Sequence, residues 1–178
     1  MHQDYSQKPR PLIGISSCLM GQKVRYDGEH QYQPLIHQYL TTTFNVMTFC
    51  PEMAIGLGVP RPKIQLVERN RQIICLDQAT ETLDYTQKLA ACCDSQSSWL
   101  EQICGYVFKT KSPSCGVSKV KTRRGNALVA DGQGIFATEL MRRYPELPVI
   151  EEDQLADKHV RENFIQAAIS YRPQISPR

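Results

Sequence analysis

Short apolar runs alternate with amphipathic stretches along this chain, and the alternation predicts an α/β fold. Leu12 to Ser17 is apolar and β-like, a buried first strand. Gly21 and Asp27-Gly28 mark turns between Cys18 and His30. Leu35, Ile36, Tyr39 and Leu40 recur at helical spacing and predict a helix over 31–41. Phe44 to Phe49 is the second strand. Two apolar strands joined by a helix-sized crossover form a parallel βαβ unit.

The segment PEMAIGLGVPRP carries three prolines and two glycines and reads as loop. Lys63–Val67 and Gln72–Leu76 flank Glu68-Arg69-Asn70-Arg71 as a hairpin. Thr82 to Cys104 lacks Gly and Pro, and Leu83, Leu89, Ala90, Cys93, Leu100 and Ile103 form a stripe. It predicts one long helix, with a break expected near Ser95–Ser98, ended by Gly105. Tyr106–Lys109 is the third strand, followed by the tight turn SPSCG. Ser118–Arg123 alternates, and Gly125-Asn126 is a turn. Gly134–Arg143 reads as a helix, Leu147–Glu151 as a short strand, and Asp157–Tyr171 as a final helix with Asp157 at its N-cap. The expected architecture is a single Rossmann-like α/β domain over 11–178, a mostly parallel central sheet flanked by helices. Residues 1–10 are polar and expected to be a flexible tail.

Composition changes this picture little. A chain of 178 residues can bury a core without disulfide or metal staples. No run of about 18 apolar residues offers a membrane span. The start MHQDYSQKPR has no apolar stretch of the secretory type, so a cytoplasmic protein is expected. A net charge of +3 is too small to indicate nucleic-acid binding by itself.

The cysteines do change it. There are seven, an odd number, and in a reducing compartment they are core thiols, ligands or nucleophiles. Cys18, Cys50 and Cys115 each follow a predicted strand, in stretches rich in Gly, Pro or Ser. Parallel strands gather their carboxyl ends along one edge, where α/β sheets hold their chemistry. Three sulfurs meeting there suggest a metal or iron–sulfur centre with one open position. The spacing matches neither a zinc ribbon nor a ferredoxin run, so placement alone carries this reading. Cys75, Cys92, Cys93 and Cys104 fall inside predicted elements and read as core thiols. His2, His30, His37 and His159 show no ligand spacing and read as surface or packing residues.

The segments SSCLMGQKVRYDG (16–28), CPEMAIGLGVPRPKIQLV (50–67) and GYVFKTKSPSCGV (105–117) closely resemble the thiouracil desulfidase family. GIFATEL (134–140) and LPVIEEDQLAD with RENF (147–164) resemble its C-terminal half, so the likeness spans about 12–170. The resemblance implies a 4Fe–4S cluster held by three protein cysteines, here Cys18, Cys50 and Cys115. The fourth iron is then free to take the sulfur of a thiocarbonyl substrate such as 2-thiouracil. Thiolates are soft ligands suited to such a cluster, and an open iron is a Lewis acid. The implied reaction replaces sulfur by oxygen with water and releases sulfide.

That reaction needs groups that move protons. Glu52, in CPE, would be solvated surface if read alone; the resemblance makes it an active-site acid/base. Ser112 and Ser114 bracket Pro113 before Cys115. They favour a turn, and their hydroxyls can also donate and accept hydrogen bonds. Ser112 is assigned to catalysis and Ser114 to substrate contact, with Ser17 a weaker candidate. In VRYDG, Arg25, Tyr26 and Asp27 either form a plain turn or face a heterocycle, and Asp27 is assigned to substrate binding.

From Lys109 to Ala130 six basic residues occur with no acidic one. Lys119, Lys121 and Arg123 would share one strand face. They either guard an edge strand or attract a nucleic-acid backbone. This keeps open a desulfidase acting on thiolated tRNA, such as 4-thiouridine. A non-catalytic iron–sulfur or zinc sensor is a further alternative. Cys115 as a simple nucleophile lacks a partner histidine and ranks last. Oligomeric state is not readable from these patterns.

Overall fold

The computed structural model describes residues 9–171 and 173. In chain order the elements are β1 (Leu12–Ser16), α1 (Pro34–Tyr39), β2 (Asn45–Phe49), α2 (Pro51–Ala54), β3 (Ile64–Arg69), β4 (Gln72–Asp77), α3 (Thr86–Ser95) and α4 (Ser97–Leu100). There follow β5 (Ile103–Phe108), β6 (Val120–Arg124), β7 (Ala127–Gly132), α5 (Ile135–Arg143), β8 (Val149–Glu151) and α6 (Lys158–Ser170). Two 3-10 turns, Ser17–Met20 and Glu152–Ala156, follow β1 and β8.

The central sheet is all parallel, in the order β2-β1-β5-β8. Both faces are covered, so its inner strands are apolar throughout, and β5 is buried at every position. On one face Ile13, Ile15, Val107 and Ile150 pack with Ile36, Leu40, Phe164 and Ala168 from the α1 and α6 layer. On the other, Ile103, Tyr106 and Phe108 pack with Cys92 and Cys93 of α3 and with Phe136, Ala137 and Leu140 of α5. This doubly covered parallel sheet is the α/β architecture expected from the strand pattern. Among the described residues no helix is long and apolar enough to cross a membrane.

A second, mixed sheet of order β4-β3-β6-β7 was not part of the expectation. The β3–β4 hairpin turns at Asn70 (φ 52°) and Arg71 (φ 62°), the double left-handed conformation that matches strand twist. β6 pairs in parallel with β3 and returns through β7. Its apolar face, with Leu66, Cys75 and Val120, packs on Leu89 of α3.

Over Thr82–Cys104 the break expected near Ser95–Ser98 is present, but the helical part starts only at Thr86 and the end of the stretch is the start of a strand. Gln96, with φ −107° and ψ 8°, separates α3 from α4. Ile103 and Cys104 continue the apolar spacing, but pairing with β1 claims them for β5. Gly105 is therefore mid-strand and ends no helix. A Cβ there would stand 3.1 Å from the Phe164 ring, so the glycine lets α6 sit close on the sheet. Asp157 caps α6 as expected, accepting from His159 N at 2.8 Å and Val160 N at 3.2 Å. Of the expected tail, residues 1–8 lie outside the described residues. Arg10 is docked, donating from Nη1 to Thr41 O at 2.7 Å.

Candidate functional site

Strand order reverses between β1 and β5: the chain steps from β1 outward to β2, then returns to the other side for β5. Such a switch point opens a crevice beyond the carboxyl ends of the strands. A cavity of about 310 Å³ lies there. Cys18, Cys50 and Cys115 all line it, as do Glu52, Ser112 and Ser114.

Each cysteine is held by local structure. Cys18 sits in the 3-10 turn directly after β1, and its carbonyl accepts from Gly21 N and Gln31 N. Cys50 is the N-cap of α2, with Pro51 at the first helical position where no N–H is needed. Cys115 lies in the loop from β5 to β6. There Ser112 Oγ accepts from Cys115 N at 3.1 Å and from Ser114 N at 3.3 Å. The start of α5 braces the same loop, with Ile135 N donating to Pro113 O at 3.0 Å and Ala137 N to Ser114 O at 3.2 Å. Glu151, at the end of β8, accepts from Val117 N at 2.8 Å and from Ser118 N and Oγ.

Glu52 is gripped from two sides. Arg61 donates to Oε2 through Nε at 2.9 Å and Nη2 at 2.8 Å. Ser114 Oγ donates to Oε1 at 2.8 Å. Ser114 Oγ also stands 3.0 Å from Ser112 Oγ and 3.6 Å from Cys115 Sγ. A hydroxyl has one proton, so Ser114 serves either the carboxylate or the sulfur at a given moment. The Arg61 side chain is only 3% exposed, and its Nη1 donates to Gly58 O at 2.8 Å. Guanidinium, carboxylate and two serine hydroxyls thus form one chain leading to Cys115.

Burial dominates the sulfur electrostatics. It lifts the Cys18 thiol to about 11, with Lys109 pulling the other way. Burial raises Cys50, and it raises Cys115 further; Cys50 adds to the Cys115 rise, while the Ser114 and Ser16 hydroxyls oppose it. Neutral buried thiols are poor nucleophiles. Binding a soft metal group removes their protons. The lining also carries Arg25, Lys109 and Lys111, and Lys109 is paired with Glu152. Among the described residues, no three His, Cys, Asp or Glu side chains converge on a single-ion position.

Asp27 is the sequence-chosen residue that the structure leaves outside the cavity. Its carboxylate faces Arg25 at 3.4 Å and accepts from Glu29 N at 3.1 Å, which is turn chemistry. Its neighbours Arg25 and Tyr26 line the wall instead. Cys75, Cys92, Cys93 and Cys104 are buried in the packed cores. His30, His37 and His159 are exposed, and His2 lies outside the described residues. On β6, Arg123 pairs with Glu81 at 2.5 Å and Arg124 with Glu68 and Asp131, leaving Lys119 and Lys121 exposed. Sequence reading missed Arg61, Lys109, Thr110, Glu151 and Glu152. Arg61 shares one Pro- and Gly-rich segment with Glu52, which was the available signal.

The sequence profile of the 2-thiouracil desulfurase family matches residues 13–152. The chain belongs to this family. The match begins in β1 and ends at Glu152, so it takes in all three cavity cysteines and the Glu52–Arg61 pair. The uncharacterized protein YbbK of Bacillus subtilis (strain 168) is 24% identical over 164 residues, 82% of this chain and 99% of that protein. A solved structure, the [4Fe-4S]-dependent thiouracil desulfidase TudS, is similar with a TM-score of 0.63 and 28% identity. The alignment covers 88% of this chain and 99% of that one.

Proposed function

We propose that this chain is a cluster-dependent desulfidase that converts a thiolated heterocycle such as 2-thiouracil to its oxo form and releases sulfide. One observation carries the reading: three thiols from three separate strand ends line one cavity with the Glu52–Ser114–Ser112 chain. TudS, similar in fold and sequence, is a [4Fe-4S]-dependent thiouracil desulfidase, which supports the same cofactor here.

The residues present fit such a group. All three donors are cysteine sulfurs, soft ligands suited to iron, and among the described residues no histidine lines the cavity. Cys18, Cys50 and Cys115 would hold the cluster. Bound there, it supplies a Lewis-acidic iron that polarises a C=S bond.

The chain's own groups manage water and protons. Glu52, fixed by Arg61, accepts a proton from the water that attacks the thiocarbonyl carbon. The new C–O bond forms as the C–S bond breaks, and both water protons end on the departing sulfur. Electrons are conserved, so no reductant is consumed. Ser114 and Ser112 pass protons between Glu52 and the sulfur side of the cavity. Arg61 keeps Oε2 occupied, so Oε1 alone faces the hydroxyl chain.

The test uses anaerobically loaded protein with 2-thiouracil, following loss of the thiocarbonyl absorbance. Glu52→Gln should retain wild-type iron and lose turnover about 100-fold or more, the range of acid–base catalysis. A loaded wild type without turnover sinks the assignment. A Glu52→Gln protein as active as wild type removes Glu52 from the mechanism and favours a sensor.

A further inference from the structure

Most polar side chains that line the cavity already have a use. Glu52, Arg61, Ser112 and Ser114 form the chain that leads to Cys115. Ser16 Oγ accepts from Lys109 N at 3.1 Å, Lys109 Nζ pairs with Glu152, and Arg25 faces Asp27 at 3.4 Å. Gln31 and Lys111 are exposed, so water serves them. The Tyr26 ring lies under Lys63 Nζ at 4.7 Å. Thr110 Oγ1 is unpartnered but shut off from solvent, so no ligand in the cavity reaches it.

Ser17 is different. It opens the 3-10 turn after β1, directly before Cys18, and its carbonyl accepts from Gln22 N at 3.4 Å. Gly21, with φ 84°, closes that turn. Ser17 is only 4% exposed, and its hydroxyl has no hydrogen-bond partner in the protein. Unlike Thr110 Oγ1, its oxygen is not shut off from solvent. Ser17 lines the cavity, and with so little of the residue exposed, the cavity is where that oxygen is reached. A hydroxyl surrounded by protein and open on one side gains more from a partner than a fully hydrated one does.

We infer that Ser17 Oγ accepts a hydrogen bond from the ring N–H beside the thiocarbonyl and so selects thio-heterocycles that carry that N–H. The inference rests on the desulfidase reading and adds the group that recognises the ring. On that reading the substrate sulfur lies where Cys18, Cys50 and Cys115 meet. In 2-thiouracil the carbon that bears the sulfur has an N–H on each side. Ser17 is the chain neighbour of Cys18, so the polar group of the ring nearest to it is one of these N–H groups, and a hydroxyl oxygen can accept from it. A site built to pair with such a group rejects an analogue that lacks it, because the enclosed hydroxyl is then left unpaired.

Ser17→Ala removes the hydroxyl and leaves no protein group unpaired. In iron-loaded protein it should raise both the KM for 2-thiouracil and the uracil Kd, measured by calorimetry, about fivefold, the worth of one hydrogen bond. Its kcat and its iron and sulfide content should match wild type, and the metal-free form should melt at the wild-type temperature. Two ring-N-methylated 2-thiouracils complete the test. The isomer blocked at the recognised N–H should bind wild type more weakly and be insensitive to the alanine change, while the other isomer keeps the sensitivity. Unchanged KM and Kd in Ser17→Ala overturn the inference, and so does equal sensitivity of both isomers. Loss of iron would give the hydroxyl to the metal site, and a lower melting temperature would give it to the fold; either result also overturns the inference. If wild type turns over 2-thiouracil and the alanine variant is unaffected, this inference alone fails. If loaded wild type shows no turnover, the functional reading fails and takes this one with it.

Discussion

Gly134→Ala should damage the proposed cluster site from outside it. Gly134 caps α5 in extended conformation and lies against the loop that carries Cys115. A Cβ there would stand 2.5 Å from Ser114 C, 2.6 Å from Cys115 N and 2.6 Å from Ser114 O. All three are backbone atoms, so no side chain can swing aside. The loop is also tied to α5, since Gly134 N donates to Gly116 O at 2.7 Å and Ile135 N to Pro113 O at 3.0 Å. Overpacking of this kind costs about 1–3 kcal/mol. The φ of −64° suits alanine, which returns about 0.4–1 kcal/mol through the unfolded chain. The net loss is about 1–2 kcal/mol, or a Tm lower by about 2–8 °C in a domain of this size. The distinguishing readout is iron. The displaced backbone carries Ser114 and Cys115, so reconstituted Gly134→Ala should hold less iron per chain than wild type. Gly105→Ala is the control. Its Cβ presses on the Phe164 ring across the sheet, so it should lower Tm and keep full iron. Thermal unfolding of the metal-free proteins and iron per chain after anaerobic loading measure both. A Gly134→Ala protein with wild-type Tm and iron would refute the reasoning, and so would equal iron loss in the control.

Two further outcomes follow from the buried charges and thiols. Arg61→Gln leaves the Glu52 carboxylate, only 14% exposed, without its cation. It should cost about 3 kcal/mol in urea unfolding and lower turnover, with Arg61→Lys between the two because a point charge cannot hold the same grip. A neutral Arg61→Gln would mean that the pair orients nothing. The second outcome is alkaline sensitivity of the reduced, metal-free protein. Burial lifts Cys18, Cys92 and Cys104 from 9.0 to about 11, and Cys93 to about 12. The unfolded chain loses these protons from about pH 9 while the folded chain keeps them. Stability from this source is therefore full below pH 9 and lost as pH rises through 11 to 12. Urea midpoints at pH 7, 8.5 and 10 test this, and a midpoint that does not fall by pH 10 would contradict it.

The parallel sheet was legible because burial on both faces writes itself into the strands as LIGIS and YVF, with little alternation to confuse. The second sheet was half legible. Its β3–β4 hairpin is local, but the β3–β6 pairing joins segments more than fifty residues apart. β7 was not read as a strand, although it carries the short apolar run ALVA; the run is exposed along nearly its whole length, and Leu128 is 60% open. Its strand state comes from pairing with β6 and not from burial of that run. The break between α4 and β5 was invisible for the opposite reason. Ile103 and Cys104 are apolar enough for either element, and only the neighbouring strand decides.

The site divides along the same line. Cys18, Cys50 and Cys115 could be found because each follows an apolar run, and position relative to a strand is a local property. Glu151 and Glu152 could not, because their use is set by partners brought near by the fold: Glu151 holds a loop 34 residues away and Glu152 one 42 away. These supports decide what the sulfurs can do. Burial alone makes the thiols neutral and inert, and a cavity with three inert thiols has no chemistry. Lys109 beside Cys18, and the Ser16 and Ser114 hydroxyls beside Cys115, push the other way and favour the thiolate. Binding of the proposed cluster would complete that deprotonation. Glu52 is kept out of this exchange by Arg61, which occupies one of its oxygens and leaves the other for a proton. On the proposed function, ligand and base would stand in one cavity with separate electrostatic environments, and that separation would let a site of closely placed acids assign each a different task.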